Sequence, residues 1–136
     1  MEKKLRVIIY TPFGKYLSTD ADYLSVKTGV GVIGVLPNHA PLVSTLEICK
    51  LIIKNNGNEL HYAISGGVIH IKKDHSISLM VDSIERQDEI DIKRALAAKE
   101  RAEERLNNKD KTEVDITRAK LSLLRALNRI EVSEDK

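Results

Sequence analysis

The stretch GVGVIGVLPNHAPLV, residues 29–43, decides which fold the sequence can adopt. Its first six residues have the G-x-G-x-x-G spacing of a dinucleotide-binding turn, which must follow a strand and open a helix. Pro37 and Pro41 come directly afterwards, and two prolines so close together forbid a helix interior. The acidic residue that such a turn needs about 20 positions later is replaced by a lysine, Lys54. The sequence therefore predicts that these glycines serve turns and hold no phosphate.

Length and composition set the limits for the rest. The chain has 136 residues and a formal net charge of +2, which fits one domain, or a small domain with an appendage. A single cysteine, Cys49, indicates a reducing compartment and is expected in the core. No apolar run approaches the roughly 18 residues of a membrane span, and the first ten residues lack the features of a secretory signal. We expect a soluble cytoplasmic chain.

The character of the chain changes near residue 84. All glycines, prolines, histidines and aromatic residues lie in residues 1–84, whereas half of residues 85–136 are charged. This break predicts two domains, residues 1–84 and residues 85–136.

The first segment has the period-two pattern of half-buried strands. Two hairpin or turn signals, Asn55-Asn56-Gly57-Asn58 and Ser65-Gly66-Gly67, separate such runs. Short strands without helices between them predict a β-sandwich or barrel. The residues expected to face inward in two of these strands are Leu60, Tyr62, Ile64, Ile77, Leu79 and Val81.

The second segment has helical periodicity. Asp88 is predicted to cap a first helix, residues 107–111 to break it, and Thr112 with Asp115 to start a second. The apolar stripes are Ile92, Ala95, Leu96, Ala98, Ala102 and Leu106 in the first helix and Ile116, Ala119, Leu123, Ala126, Leu127 and Ile130 in the second. The prediction is an antiparallel two-helix hairpin whose alanine-rich faces bury little area, so that it docks weakly and can move.

Several chemistries are disfavoured by the residues present. The four histidines show no metal-ligand spacing, so no metal or catalytic site is expected. No G-x-x-x-x-G-K-[ST] motif is present, which argues against ATP hydrolysis by this chain. Residues 85–136 carry equal numbers of positive and negative side chains, which argues against a nucleic-acid adaptor.

Four blocks of the sequence resemble the epsilon subunit of the F-type ATP synthase. They are VIIYTPFG (residues 7–14), TGVGVIGVLPNHAPLV (28–43), SGG (65–67) and RALNRI (125–130). The resemblance covers nearly the whole chain, and its order, an N-terminal β-sandwich of short strands followed by a C-terminal helical hairpin, is that family's architecture. Val32 departs from the family, whose members more often carry an acidic or polar residue there.

The resemblance implies a non-catalytic central-stalk subunit of the proton-translocating ATP synthase, located peripherally at the cytoplasmic face of the cell membrane without inserting into it. The implied partners are the gamma subunit, the membrane c-ring and, when the hairpin extends, the alpha and beta subunits of the catalytic head. The sandwich would attach to the rotor, and the hairpin would inhibit hydrolysis. The implied rotor-facing residues are Gly31, Val32, Gly34 and His39, with both glycines in hairpin or loop geometry.

The motif IDIKRA, residues 90–95, is similar to one with which some bacterial members bind ATP on the hairpin. The resemblance implies that ATP is a regulatory ligand, while no cofactor is required. Four arginines on two helices could neutralise a triphosphate, and a carboxylate could accept from the adenine amine. From spacing alone, the same arginines also fit a solvated, salt-bridged helix face, and a purely structural rotor subunit remains the alternative. The implied ATP-binding residues are Glu85, Ile90, Asp91, Arg94, Ala95, Arg101, Arg125 and Arg129.

Overall fold

A computed structural model of the chain describes residues 4–108 and 112–135. Eight strands are followed by a short 3-10 helix, Gln87–Glu89, and two α-helices. The strands are β1 (Leu5–Thr11), β2 (Gly14–Ala21), β3 (Tyr23–Thr28), β4 (Gly31–Val35), β5 (Leu42–Asn55), β6 (Asn58–Ile71), β7 (Ser76–Val81) and β8 (Ile84–Arg86). The helices are α1 (Ile92–Asn107) and α2 (Glu113–Glu134). The predicted β-sandwich followed by two helices is confirmed, although β5 and β6, at 14 residues each, are not short.

The chain forms two compact units, Met1–Arg86 and Gln87–Lys136. β8 belongs to the first unit because it pairs with β6 through Ile64↔Ile84 and Tyr62↔Arg86. The last hydrogen-bonded residue of the sheet is therefore Arg86, and the border between the units directly follows it.

The strands of the first unit form one hydrogen-bonded series in the order β2-β1-β7-β6-β5-β3-β4. β1 and β7 are parallel, and the other neighbours are antiparallel. The sheet folds over on itself. This is seen from the ring of Tyr16 in β2, which packs edge-on against the ring of Tyr62 in β6, with centroids 6.4 Å apart. Large apolar side chains fill the space between the layers, among them Leu5, Ile9, Leu24, Leu51, Ile64, Ile69, Ile71, Ile77 and Leu79.

The turn predicted at Asn55-Asn56-Gly57-Asn58 is confirmed. β5 ends at Asn55, β6 begins at Asn58, and the two residues between them have positive φ angles of 53° and 82°. Positive φ at both central positions is the requirement of a type I′ hairpin turn, which asparagine and glycine meet at low cost. The backbone N–H of Asn56 also donates to the carboxylate of Asp22 at 2.9 Å, which ties this turn to the β2–β3 connection.

The turn predicted at Ser65-Gly66-Gly67 is wrong, because these residues lie inside β6. Here β6 exchanges one neighbour for another: β8 pairs up to Ile64, and β7 pairs from Gly67 onward. A Cβ on Gly67 would lie 1.9 Å from the carbonyl oxygen of Met80, so the glycine permits a close approach of two backbones. Gly34, which was expected in hairpin or loop geometry, lies within β4 opposite Ser25, in the hairpin that β3 and β4 form.

The strand predicted around residues 59–64 exists, but its alternating burial is wrong. Leu60 is 46% exposed, whereas His61 and Ala63 are buried together with Tyr62 and Ile64. Leu60 pairs with Ile53 of β5 only, because β8 begins to flank β6 at Tyr62. The strand end beside the hairpin turn thus has one open side, which exposes Leu60. The inward positions predicted in β7, Ile77, Leu79 and Val81, are all buried.

The first helix begins later than predicted. Asp88 lies in the 3-10 helix, and the residue that caps α1 is Asp91, whose carboxylate accepts from the backbone N–H of Arg94 at 3.1 Å. The start of α2 is confirmed, since the hydroxyl of Thr112 accepts from the N–H of Asp115 at 3.2 Å. α1 ends at Asn107, and the rest of the predicted break, residues 109–111, lies outside the described residues.

Only the small members of the predicted apolar stripes are fully buried. Ala95 and Ala102 of α1 and Ala119 and Ala126 of α2 are each at most 2% exposed. The larger side chains lie at the edges of this line of alanines, the seam, or outside it, because helical spacing turns them away from the partner helix; Leu96 and Leu127 each follow a buried alanine by one residue, or about 100°. Ile92, Leu96 and Leu127 were predicted to be buried and are exposed, while Ala98, Leu106, Ile116, Leu123 and Ile130 are half-buried.

Candidate functional site on the helical hairpin

The predicted ATP-binding arginines lie on two antiparallel helices whose register is fixed at both ends. At one end the side chain of Gln87 reaches the carbonyl oxygen of Val132, and at the other end the short connection joins Asn108 to Thr112. Between these ends Arg94 lies at about the level of Arg125, and Arg101 at about the level of Arg118. These two levels are seven residues apart on each helix, which is about two helical turns or roughly 10.5 Å along the hairpin.

Each buried alanine of the seam is directly preceded by an arginine. The pairs are Arg94-Ala95, Arg101-Ala102, Arg118-Ala119 and Arg125-Ala126. A residue one position earlier points about 100° away around the helix axis. In an antiparallel pair, side chains that are displaced by the same angle from the buried alanines of their own helix point to the same side of the two-helix layer. The structure thus brings the four arginines to one side of the hairpin.

Two further arginines complete this surface. Arg105 follows Arg101 by four residues, and Arg129 follows Arg125 by four, so each lies one turn further on the same side. We call this surface the arginine flank; its members are Arg94, Arg101, Arg105, Arg118, Arg125 and Arg129. All are exposed except Arg129, which is half-buried.

The repeated pattern R-A-x5-R-A-x2-R explains the arginine flank at the level of sequence. It occurs at residues 94–105 and again at residues 118–129. Two helices with the same pattern, packed antiparallel, are related by an approximate twofold axis perpendicular to the layer. The sequence analysis missed Arg105 as a site residue and gave Arg118 no part in ATP binding; this repeat is the signal that identifies both.

Most of the arginine flank makes no salt bridge in the part of the chain that the structure describes. Glu103 lies 3.9 Å from Lys99, and Glu104 and Asp115, although three residues from Arg101 and Arg118, form no salt bridge with them. Among the described residues, no salt bridge or side-chain hydrogen bond involves Arg94, Arg101, Arg105, Arg118 or Arg125. Five guanidinium groups are therefore available to an anion from solution.

Asp91 lies at the end of the hairpin near Arg129. One of its carboxylate oxygens accepts from the N–H of Arg94 and so holds the first turn of α1. The side chain is exposed, and its second oxygen accepts no hydrogen bond from the described residues. Asp91 can therefore cap the helix and accept a further hydrogen bond at the same time.

Three predicted ATP-binding residues stand apart from the arginine flank. Ala95 is fully buried in the seam and Ile90 is 8% exposed, so both act here as packing residues. Glu85 belongs to the first unit, in β8 opposite Ala63 of β6. Within the second unit, the predicted residues that the structure assembles are Asp91, Arg94, Arg101, Arg125 and Arg129.

The predicted rotor-facing residues lie on β4 and the loop that follows it. β4 is the last strand of the series and pairs with β3 only. Gly31 begins it with a φ of 126°, a conformation that favours glycine, and Val32 is 72% exposed. A Cβ on Gly34 would lie 2.6 Å from the hydroxyl oxygen of Tyr23, so the glycine makes room for that ring.

The loop after β4 is held by backbone and histidine hydrogen bonds. The N–H of His39 donates to the carbonyl oxygen of Leu36 at 2.9 Å, and its ring Nδ1 lies 2.6 Å from the carbonyl oxygen of Ala40. His75, from the β6–β7 turn, donates from Nδ1 to the carbonyl oxygen of Pro37. Four apolar side chains in β4 and the segments beside it are exposed: Val30, Val32, Leu36 and Val43.

Some classes of site are not seen in the described residues. Within residues 4–108 and 112–135, no three histidine, cysteine or acidic side chains are grouped as metal ligands. Neither of the two described helices has an apolar stretch long enough to cross a bilayer. Cys49 is buried, and burial raises the pKa of its thiol above the ordinary value.

Comparison with known families gives a match over both units. Residues 4–87 match the family model described as ATP synthase, Delta/Epsilon chain, beta-sandwich domain. Residues 88–134 match the model described as ATP synthase, Delta/Epsilon chain, long alpha-helix domain. A relative among characterised proteins, the ATP synthase epsilon chain of Bacillus licheniformis, is 42% identical over 131 residues, which are 96% of this chain and 98% of that one.

Solved structures share the fold at lower identity. A chain in the cryo-EM structure of the Euglena gracilis mitochondrial ATP synthase, OSCP/F1/c-ring, superposes with a TM-score of 0.82 at 20% identity, over 92% of this chain and 78% of that one. A chain in the Tetrahymena thermophila mitochondrial ATP synthase central stalk/c-ring structure gives 0.69 at 15% identity, over 97% and 98%. With both units matched by family models and a full-length relative above 40% identity, the chain belongs to the delta/epsilon family of ATP synthase subunits.

Proposed function

We propose that this chain is the rotor subunit through which the central stalk of a proton-translocating F-type ATP synthase is attached and regulated. As a member of the delta/epsilon family it is a subunit of that complex and is not catalytic by itself. The first unit would join the gamma subunit and the membrane c-ring, and the hairpin would regulate the alpha and beta subunits of the head. This places the chain peripherally, at the cytoplasmic face of the cell membrane, as part of the complex.

The rotor contact is proposed at β4 and the loop after it. Val30, Val32 and Leu36 are 87%, 72% and 58% exposed, which is unusual for neighbouring apolar side chains of one loop region. Gly31 has open space where a side chain would be, which allows a partner to approach the backbone closely, and the hydrogen bond from His75 to Pro37 holds the loop in one conformation. Gly31, Val32, Gly34 and His39 are therefore proposed to face the rotor.

ATP is proposed to bind at the arginine flank as a regulatory ligand. The observation that carries this proposal is the concentration of arginines on one side of the hairpin, of which Arg94, Arg101, Arg105, Arg118 and Arg125 make no salt bridge with any described residue. Arg94, Arg125 and Arg129 would hold the phosphates near the level of Asp91, whose free oxygen can accept from the adenine amine. Arg101 lies about two helical turns, roughly 10.5 Å, further along the same side, and its long side chain would extend toward the end of the triphosphate. The packing residues Ile90 and Ala95 would hold the first turns of α1 in place at the site.

The regulatory mechanism follows from where the arginines stand. ATP held by Arg94 and Arg101 of α1 together with Arg125 and Arg129 of α2 binds only while the helices are paired. A ligand shifts an equilibrium by its differential affinity for the two states. At about 100 times its dissociation constant, ATP would favour the paired form by roughly 2.7 kcal/mol. High ATP would thus oppose extension of α2 into the head and release the inhibition of hydrolysis.

A purely structural rotor subunit is the second candidate. It is favoured by the burial of Ile90 and Ala95, which gives the first and last residues of the IDIKRA motif a packing role without any ligand. In that case the arginines would serve only to keep the hairpin soluble. The two candidates differ in whether the flank has measurable affinity for ATP.

Calorimetric titration of the full chain with ATP separates these candidates. Arg94→Gln and Arg125→Gln each remove one charge-assisted contact, which is worth about 1.5 to 3 kcal/mol, or roughly tenfold or more in affinity. Lys93→Gln and Lys120→Gln are matched controls, because they remove one positive charge from exposed positions away from the flank. Equal affinity in all four variants, or no heat of binding by the wild-type chain, would leave the structural candidate.

A further inference from the structure

The side chain of Gln87 joins two segments that are 45 residues apart in the sequence. Its amide nitrogen donates to the carbonyl oxygen of Val132 at 2.8 Å and also to the carbonyl oxygen of Asp135. Gln87 begins the 3-10 helix that precedes α1, whereas Val132 and Asp135 belong to the last turn and the C-cap of α2. The start and the end of the second unit are therefore connected through one side chain.

This bond meets a specific need of α2. The last carbonyl groups of a helix have no partner within the helix and carry the negative end of its dipole. In α2 the backbone N–H of Asp135 satisfies Val132 only in part, at 3.2 Å. The two amide protons of Gln87 supply the additional donors. α2 is thus capped by a residue from the other end of the unit.

The packing beneath the bond extends the connection. Val132 is fully buried, yet it lies 13 residues beyond Ala119, which turns it roughly 140° away from the alanine seam. α1 does not cover this direction, whereas the 3-10 helix contacts α2. Ile90, which directly follows the 3-10 helix, is also buried. The segment from Gln87 to Ile90 therefore holds the end of α2 by hydrogen bonds and by burial together.

We propose that Gln87 is a clasp that holds the hairpin in its paired state, and that α2 must release it in order to extend. The proposal rests on the two-state regulation proposed above and adds to it a residue that is not part of the arginine flank. Gln87 is a positioning residue in this scheme. It stabilises the state to which ATP binds, so it sets how much ATP is needed to overcome extension.

Amide hydrogen exchange in the full chain tests the clasp without ATP. Gln87→Ala removes both donors, and Gln87→Glu keeps the shape while placing an acceptor against two carbonyl oxygens. We expect exchange of the last-turn amides of α2 to become about three- to tenfold faster in both variants, the range that one or two neutral hydrogen bonds support. The matched control is Ser133→Ala, which removes a hydrogen bond from the same turn to Ile130 at 2.6 Å that is local to α2. Unchanged exchange in both Gln87 variants would overturn the proposal, as would equal acceleration in the Ser133 variant.

Hydrolysis by the assembled enzyme tests the regulatory consequence. With Gln87→Ala, the ATP concentration that half-releases inhibition should rise about three- to tenfold, because a smaller fraction of the subunit is in the binding-competent state. Ser133→Ala should leave that concentration unchanged. A Gln87 variant with faster exchange and an unchanged ATP requirement would contradict the clasp. If the Gln87 variants exchange faster but the wild-type enzyme shows no ATP-dependent inhibition, then Gln87 holds the end of α2 as proposed. The regulation by ATP would in that case be wrong.

Discussion

The two units of this chain are held together by side chains of different size. The sandwich buries leucine, isoleucine and valine side chains completely, including Leu5, Ile69 and Leu79. Among the described residues of the hairpin, the fully buried positions are four alanines and Val132, and leucines such as Leu124 stand in solvent. Full burial of a leucine stabilises by about 1.5 to 3 kcal/mol, whereas an alanine methyl contributes only about 0.8 kcal/mol.

This difference makes the sandwich a rigid unit and allows the helices of the hairpin to separate. Strands paired across the whole sandwich, such as β1 with β7, cannot separate without exposing the core. The helices of the hairpin can separate at the cost of a few methyl groups and the Gln87 clasp. A modest ligand free energy is therefore sufficient to bias the hairpin, and insufficient to disturb the sandwich.

The largest expected effect comes from truncating the same side chain in both units. Leu79→Ala, in a core position with no exposed surface, should destabilise the sandwich by about 2 to 5 kcal/mol. Leu124→Ala, at a position 52% exposed, should stay within about 0.5 kcal/mol. Urea unfolding followed by tyrosine fluorescence reports the sandwich alone, because all four tyrosines lie there, and helical circular dichroism reports the hairpin. Similar losses in both variants would mean that the hairpin has a core of its own.

A smaller effect is expected at Asp91 and separates its two roles. Asp91→Ala removes the cap of α1 and should reduce the stability of the hairpin by about 0.5 to 2 kcal/mol. Asp91→Asn keeps an equivalent cap and should cost almost none of this, although it removes the same charge. Thermal loss of the helical signal measures both variants. If the asparagine variant is as unstable as the alanine variant, then charge and not capping is what Asp91 contributes to folding.

Because capping and ligand binding are separated in this way, Asp91→Asn is also the better variant for ATP titration. Weaker ATP binding by Asp91→Asn with unchanged helicity would assign a ligand contact to the carboxylate. Weaker binding by Asp91→Ala alone would assign the effect to helix stability.

The smallest expected effect is the pH dependence of the sandwich. Hydrogen bonds from the Asn56 backbone and from Lys4 lower the pKa of Asp22, and a hydrogen bond from His61 lowers the pKa of Glu59. A carboxyl group whose pKa is lower in the folded state stabilises the fold above its ordinary pKa, and this contribution is lost as the pH falls through the lowered value. The urea midpoint of the sandwich should therefore decline below about pH 4. Asp22→Asn should make the decline shallower, and an unchanged slope would contradict the assignment.

Local signals in the sequence predicted the elements that local chemistry determines. Asn56 and Gly57 need only each other to favour a type I′ turn, and Thr112 with Asp115 need only adjacent backbone to start α2. Ser65-Gly66-Gly67 looked like a turn for the same reason. Gly67 is instead required because the backbone of Met80 in a neighbouring strand comes so close, and this contact is not visible in the local sequence.

The candidate site shows the same limit. The spacing of Arg94 and Arg101, and of Arg125 and Arg129, was sufficient to predict faces on two helices. These two faces share one side of the hairpin because the helices meet along their buried alanines, and this contact is known only once the two helices are packed. Gln87 could not be found at all from sequence, since its partners lie 45 residues away and are backbone carbonyl groups that every residue type carries.

The measurement that tests the central claim most directly is the distance across the open end of the hairpin as ATP is added to the assembled enzyme. Labels attached through Lys93→Cys and Glu134→Cys lie at exposed positions toward that end, one on each helix. Cys49 is spared by burial, which also raises its pKa. The account predicts a long distance at low ATP and a short one at high ATP, with the same midpoint as the release of hydrolysis, and a midpoint shifted upward about tenfold by Arg125→Gln. A distance that does not respond to ATP while hydrolysis does, or hydrolysis that is unaffected by removing residues 87–136, would contradict it.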